Sequence, residues 1–286
     1  MYSMINFAEY VKFTPEEFSI VDNCEMSLDD YDFLHNIFCK AKPKKVVEIG
    51  VSAGGTTVFL RSLMEKYGGE SLYSFDYNTQ YYKNHALEVG YMAHGFPSNI
   101  KWQLFAGGMP CRYFSHLCMD IDICIIDTAH RNPGEHINIL EILPYMRKGG
   151  IIVLHDTALY LLNDDAKNCW TNRVALNTLR GEQLFPRVPL HGIKGMIPNI
   201  GGVVLGDVEE MLFPLFTNLT LPWNYLLNFQ DFHDCYTHFL RFYDAKLVDI
   251  FIYAYEFYKK KHIQGLKQRV TEGLRRRVAA RLGHCE

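Results

Sequence analysis

No stretch of the chain approaches the roughly 18 uninterrupted apolar residues that a membrane-spanning helix needs, so no transmembrane segment is expected. The N-terminus has no basic patch followed by an apolar core. No secretory signal is therefore expected, and the expected setting is the cytoplasm. None of the eight cysteines forms a C-x-x-C pair, and their spacing follows no regular framework. With Cys124 inside an apolar run, they read as reduced thiols rather than a disulfide framework. Charge of one sign is not in excess either: 29 Lys and Arg against 32 Asp and Glu leave a net charge of −3, which gives no reason to expect nucleic acid as a partner. Internal repeats and low-complexity tracts are lacking. What is present is a chain of 286 residues, enough for one large domain with an appendage. It is rich in aromatics, with 18 Tyr and 19 Phe. Its charge is unevenly placed, because nine Lys and Arg face only two Glu from Lys259 to the end.

Residues 1–26 are irregular and carry no readable role. Ser27 with Asp30 predicts a capped helix, in which Leu28, Tyr31, Leu34 and Phe38 share one face. Lys44–Ile49 predicts a first buried strand, followed by a glycine-rich turn into a helix that ends at Gly68-Gly69. Leu72–Phe75 predicts a second strand, Tyr81–Met92 a helix, and Ile100–Phe105 a third strand ending in Ala106-Gly107-Gly108. Trp170–Leu179 reads as a helix, and Arg187–His191 and Gly201–Leu205 as strands. Strand and helix patterns alternate from Lys44 to about Asp207, which predicts a doubly wound, mostly parallel α/β sheet of seven strands. The chain then divides into three parts: an N-terminal segment with its capping helix (1–43), the α/β domain (44–207) and a helical C-terminal extension (208–286). The aromatic run from Phe229 to Lys261 reads mainly as helix-packing core.

The most informative stretch is Asp122–Asp156, DICIIDTAHRNPGEHINILEILPYMRKGGIIVLHD. Two apolar runs, Ile123–Ile126 and Ile151–Leu154, each end in a carboxylate, Asp127 and Asp156. A segment of helical length lies between them, from Pro133 to Met146. Runs of this kind suit strands buried on both faces. The crossover makes them parallel, so both carboxylates reach the C-terminal edge of the sheet, about 4.8 Å apart if the strands are neighbours. Carboxylates so close repel unless a proton or a cation sits between them, and ligands of open α/β sheets bind at that edge. His130 follows the first strand and His155 stands beside the second carboxylate. The chemistry implied is a hard divalent cation with a histidine base next to it, and His155 is a further candidate ligand.

The turn after the first strand reads Glu48-Ile-Gly50-Val-Ser52-Ala-Gly54-Gly55-Thr56. Gly50 and Gly54 let the backbone approach a ligand, and the next helix offers free N–H groups and a positive dipole end. Asp76 ends the second strand 26 residues after Gly50, where an acid can accept ribose hydroxyls. The E-x-G-x-x-x-G pattern resembles motif I of class I S-adenosylmethionine-dependent methyltransferases. The D-x-x-H after the fourth strand, then PGE…LPYMRKGG and the closing H-D pair, resemble the metal-dependent O-methyltransferases. The branch is the one with macrocin-type O-methyltransferases and cephalosporin hydroxylase-like proteins, and the resemblance spans about Lys44–Asp207.

That resemblance implies S-adenosylmethionine bound around Glu48, Gly50, Ser52, Gly54 and Asp76, with Thr56, Gly107 and Asp127 beside it. It implies Mg²⁺ on Asp127 and Asp156, and His130 as general base toward a hydroxyl of a sugar, glycan or other small molecule. The sequence departs from the catechol-type relatives at Thr157, where they carry a ligating Asn. A hydroxylase-like oxidoreductase and a non-catalytic cofactor-binding scaffold remain the alternatives. His136 reads as a helix-surface residue, and His191 and Lys194 as a surface loop that could line an acceptor pocket. The basic tail reads as a solvated face that could also touch an anionic membrane surface, and self-association stays open.

Overall fold

The computed structural model describes residues 6–21, 26–162, 166–187 and 197–282. Its centre is a seven-stranded sheet in the order β3-β2-β1-β4-β5-β7-β6. The strands are β1 (Lys45–Ile49), β2 (Ser71–Asp76), β3 (Lys101–Ala106), β4 (Ile121–Ile126), β5 (Met146–Leu154), β6 (Gly181–Leu184) and β7 (Gly201–Leu205). The first five run parallel, and β7 is antiparallel to both β5 and β6. The expected α/β sheet is thus present, and its strand order reverses between β1 and β4, where such sheets bind ligands.

Both faces are covered. Helices α1 (Leu28–Ala41) and α2 (Gly55–Tyr67) pack on one face over Val46, Ile123, Ile125 and Val153. The other face presents Val47, Ile49, Cys124 and Ile126 to a second core. There lie α4 (Gly134–Ile142) and α6 (Thr171–Thr178), and a C-terminal layer of α7 (Glu209–Asn218), α8 (Phe229–Phe242) and α9 (Ala245–Leu282). Two short helices, α3 (Tyr91–His94) and α5 (Leu159–Leu162), complete the set among the described residues. The alternation of Ile123 and Ile125 with Cys124 and Ile126 explains the unbroken apolar run: each side chain meets a core whichever way it points. No described helix is long and apolar enough to cross a membrane.

Several local expectations are corrected. Tyr81–Met92 is not a helix; its backbone N–H groups go elsewhere, Gly90 N–H to the Ser52 carbonyl at 2.8 Å and Met92 N–H to that of Ala53 at 3.0 Å. Leu28 points outward, and the buried stripe of α1 runs through Tyr31, Phe33, Leu34, Ile37 and Phe38. β5 begins at Met146 rather than Ile151, with Gly149, at φ +68°, inside the strand and the register to β4 shifting between Ile121 and Ile123. The aromatic run is split between α8 and α9 at Asp244, whose side chain accepts the Lys246 N–H at 2.8 Å. The strand expected at Arg187–His191 falls largely outside the described residues, and β6 lies upstream of it.

His136 is fully buried rather than on the surface. All nine residues of α4 are buried, because the C-terminal layer covers the side that the sheet does not. Burial holds the His136 pKa down to about 3, so its ring is neutral between Asn132 and Asn218.

Candidate active site

Three chain segments converge at the C-terminal edge of β1, β4 and β5. The first is the turn from β1 into α2. Gly50 takes φ +96°, and a Cβ there would stand 1.8 Å from the Asp127 carbonyl oxygen, so only glycine lets the two strand ends meet. Gly54, at φ +92°, is pressed against Gly90, with 2.9 Å from an added Cβ to the Gly90 Cα. The turn and the start of α2 enclose a pocket lined by Gly50, Val51, Ser52, Ala53, Gly55, Thr56 and Asp127. The Ser52 hydroxyl is buried there without a hydrogen bond.

Asp76 holds this turn from beneath. Its Oδ2 accepts the N–H groups of Val51 at 2.9 Å and Ser52 at 3.0 Å, and its Oδ1 accepts that of Asn78 at 2.8 Å. Glu48 does not face the pocket lining; it is buried under α2, where Oε2 accepts from Thr57 at 2.8 Å and Ser74 at 2.6 Å. Burial pushes its carboxyl up to about 8 against those hydrogen bonds, so Glu48 stays protonated near neutral pH and braces the turn from within. Gly107, at φ +98°, directs its carbonyl to Arg112 and Tyr113.

The second and third segments bring Asp127, His130 and Asp156 together, with donor atoms within 4.8 Å of one another. His130 Nε2 stands 3.0 Å from Asp156 Oδ2 and 3.6 Å from Asp127 Oδ1. Both His130 and Asp156 adopt left-handed backbone, at φ +56° and +53°. This conformation is uncommon outside glycine and recurs at functional sites. Burial lowers the His130 pKa, but the Asp156 hydrogen bond and the Asp127 and Asp156 charges outweigh it and raise the value above the ordinary one. For Asp156, burial acts upward; the His130 hydrogen bond, the two histidine charges and the Asn199 amide at 2.6 Å hold it down to about 2.

His155 stands among three carboxylates, with Nδ1 also 3.7 Å from Asp156 Oδ1. Its Nδ1 faces Asp127 Oδ1 at 3.1 Å and its Nε2 faces Asp30 Oδ2 at 3.4 Å, so both ring nitrogens are directed at carboxylates. Burial opposes the charged ring, yet the Asp127 charge and hydrogen bond and the Asp30 hydrogen bond raise its pKa well above the usual histidine value. Asp30 is also the reciprocal partner of the Ser27 cap of α1, accepting from Ser27 N–H at 2.9 Å. Thr157, at the position where the catechol-type relatives ligate with Asn, donates its hydroxyl to the Pro198 carbonyl at 3.0 Å and is fully buried.

Three residues that sequence reasoning missed complete the site: Asp30, Asn172 and Asn199. Asn172 Nδ2 donates to the His155 carbonyl, which fixes the amide's orientation, and also points at His130 Nδ1 at 3.1 Å. A donor facing Nδ1 favours the neutral imidazole with its hydrogen on Nε2, turned to Asp156, so Asn172 opposes the charging that the carboxylates promote. His191 and Lys194 lie outside the described residues.

Residues 47–157, which hold the turn, both carboxylates and His130, match the family model described as "Methyltransferase domain". No curated protein matches the chain by sequence. Among solved structures, an O-methyltransferase from Bacillus cereus in complex with S-adenosylhomocysteine is 18% identical, covering 63% of this chain and 82% of its own, with a TM-score of 0.45. One from Streptomyces achromogenes, involved in tomaymycin synthesis and bound to S-adenosylmethionine, is 14% identical, covering 65% and 84%, with a TM-score of 0.44. A Podospora anserina methyltransferase bound to S-adenosylhomocysteine is 15% identical, covering 62% and 78%, with a TM-score of 0.43. All three likenesses are distant, and the assignment of function rests on the domain match and the geometry of the site.

Proposed function

We propose that this chain is a class I S-adenosylmethionine-dependent methyltransferase, a reading the methyltransferase-domain match at 47–157 supports, and that it methylates a hydroxyl oxygen of a sugar, glycan or other small molecule. The observation that carries this reading is that Asp127 belongs to two places at once. It lines the pocket of the glycine turn and it stands in the cluster with His130 and Asp156. A methyl donor seated on the turn would therefore meet an acceptor oxygen held by the cluster.

Methyl transfer to oxygen needs a nucleophile with little proton left on it, and an alcohol near pH 7 is a poor one. The two carboxylates are oxygen donors that suit a hard divalent cation, and the imidazole within 4.8 Å of them stands where a base would. Mg²⁺ held by Asp127 and Asp156 would lower the pKa of the acceptor hydroxyl and fix its position. His130 is the base that takes the hydroxyl proton at Nε2, and in that form its own hydrogen lies on Nδ1. Asn172 favours the other tautomer and so must shift as the acceptor binds. His155, held between Asp30 and Asp127, sets the position of Asp127 rather than ligating the ion. The pocket residues Gly50, Ser52 and Thr56, with Gly54 shaping the turn, would hold the amino-acid end of the donor, Asp76 its ribose, and the Gly107 loop its adenine edge.

The test is incubation of the full chain with S-adenosylmethionine, Mg²⁺ and a panel of sugar and phenolic acceptors, read by product mass. A gain of one CH₂ supports the reading, and His130→Ala should cut that turnover roughly 10²- to 10⁴-fold. A gain of one oxygen contradicts it in favour of the hydroxylase-like alternative. Contact of the basic end of α9 with anionic lipid and self-association of the chain are further proposals. Vesicle co-sedimentation and analytical ultracentrifugation test them.

A further inference from the structure

Away from this site, the second core buries a cluster of different chemistry. Cys111 stands in the 3₁₀ turn Pro110–His116 after β3, Glu141 on α4 and Cys235 on α8. Their two sulfurs and one carboxylate oxygen lie within 4.8 Å of one another. Glu141 and Cys235 are fully buried and Cys111 is half-buried. The Cys235 thiol donates to Glu141 Oε1 at 3.4 Å, while Glu141 Oε2 is buried with no hydrogen-bond partner. A buried carboxylate oxygen left unpaired is costly. Nothing in methyl transfer requires two thiols and an acid here.

We propose that Cys111, Glu141 and Cys235 bind one soft divalent cation of the zinc type, which staples the C-terminal helical layer to the α/β domain. Thiolate sulfur with a carboxylate oxygen is a zinc donor set, whereas the oxygens of Asp127 and Asp156 suit magnesium. Metal–donor lengths of about 2.3 Å to sulfur and 2.0–2.2 Å to oxygen in a tetrahedron separate the donors by about 3.5–3.8 Å, inside the observed spread. The cation gives the Glu141 carboxylate, whose Oε2 has no hydrogen-bond partner, a charged partner in place of solvent. Both thiols and the Glu141 carboxyl release their protons to solvent on binding, and the fourth coordination position takes a water or small anion. Without a cation, burial pushes the Glu141 carboxyl up to about 8 and the Cys235 thiol to about 12, so the empty cluster is protonated and contributes only weak sulfur hydrogen bonds. The three donors come from elements on both sides of the boundary near residue 207, which places the staple where the two parts join.

The test is titration of the full-length, reduced, EDTA-treated protein with Co²⁺, read by thiolate-to-cobalt charge-transfer absorption, followed by displacement with Zn²⁺. One equivalent with the charge-transfer band is expected, with the band lost in Cys235→Ser and the affinity for Co²⁺ lowered roughly tenfold or more in Glu141→Gln. Asp127→Asn should leave the band unchanged, since that site has no sulfur. Should Cys235→Ser not fold, Cys111→Ser at the half-buried position gives the same readout. Folded wild-type protein without the band, a band that survives in Cys111→Ser, or a Cys111–Cys235 disulfide in protein isolated anaerobically would each overturn the assignment.

Discussion

At the scale of the residue, the site is a contest over where protons sit. The carboxylates at Asp127 and Asp156 favour charged histidines, and the Asn172 amide disfavours charge on His130. Removing that amide should let the ring charge more readily. Asn172→Ala is therefore expected to move the rising limb of the kcat/KM–pH profile, which reports the free enzyme, to higher pH, and a limb that stays in place would separate Asn172 from His130. His155 gives a stability prediction of definite sign. Its folded pKa lies above the unfolded one, so its contribution is complete below the ordinary histidine pKa and is lost as pH rises through the raised folded value. Thermal melts across that window should show Tm falling with rising pH, and in Asp30→Asn the fall should be smaller and complete at lower pH. At the acid end the sign reverses: Asp156, held down to about 2, contributes about 2 kcal/mol that is lost as pH falls through that value.

At the scale of the element, the turn between β1 and α2 is fixed by close approach rather than by its own sequence preference. Gly54 is both left-handed and pressed on Gly90, so Gly54→Ala should cost more than about 1 kcal/mol in a urea melt. Gly95, with open space around its Cβ position, should accept alanine at no such cost. Every strand but β6, this turn and the carboxylates at their ends were legible in the sequence because each is announced locally, by an apolar run closing in Gly, Asp or His-Asp; β6, Gly181–Leu184, has no such run. The Tyr81–Met92 segment was misread because the N–H groups of Gly90 and Met92 are claimed by the turn and those of Tyr81 and Val89 by the Leu87 and Thr79 carbonyls, none of them in helical register. Asp30 and Asn172 were not readable as site residues. Their partners lie 125 and 42 positions away, and nothing local distinguishes a cap residue that also orients a histidine.

At the scale of the molecule, the C-terminal layer is part of the core rather than an ornament on it. Cys235 and His238 hydrogen-bond Glu141, Tyr243 reaches the Leu140 carbonyl, and Asn218 meets His136, all on α4. A chain ended at residue 207 should expose that helix and lose cooperative unfolding, and a sharp, reversible melt of the truncated chain would show the α/β domain to be independent. The central claim, that the glycine turn seats an adenosyl cofactor beside a separable catalytic cluster, is tested most directly by calorimetric titration of S-adenosylhomocysteine into wild-type protein and His130→Ala. The account predicts one-site binding of nearly equal affinity in both. No binding to the wild type, or binding abolished in His130→Ala, would contradict it.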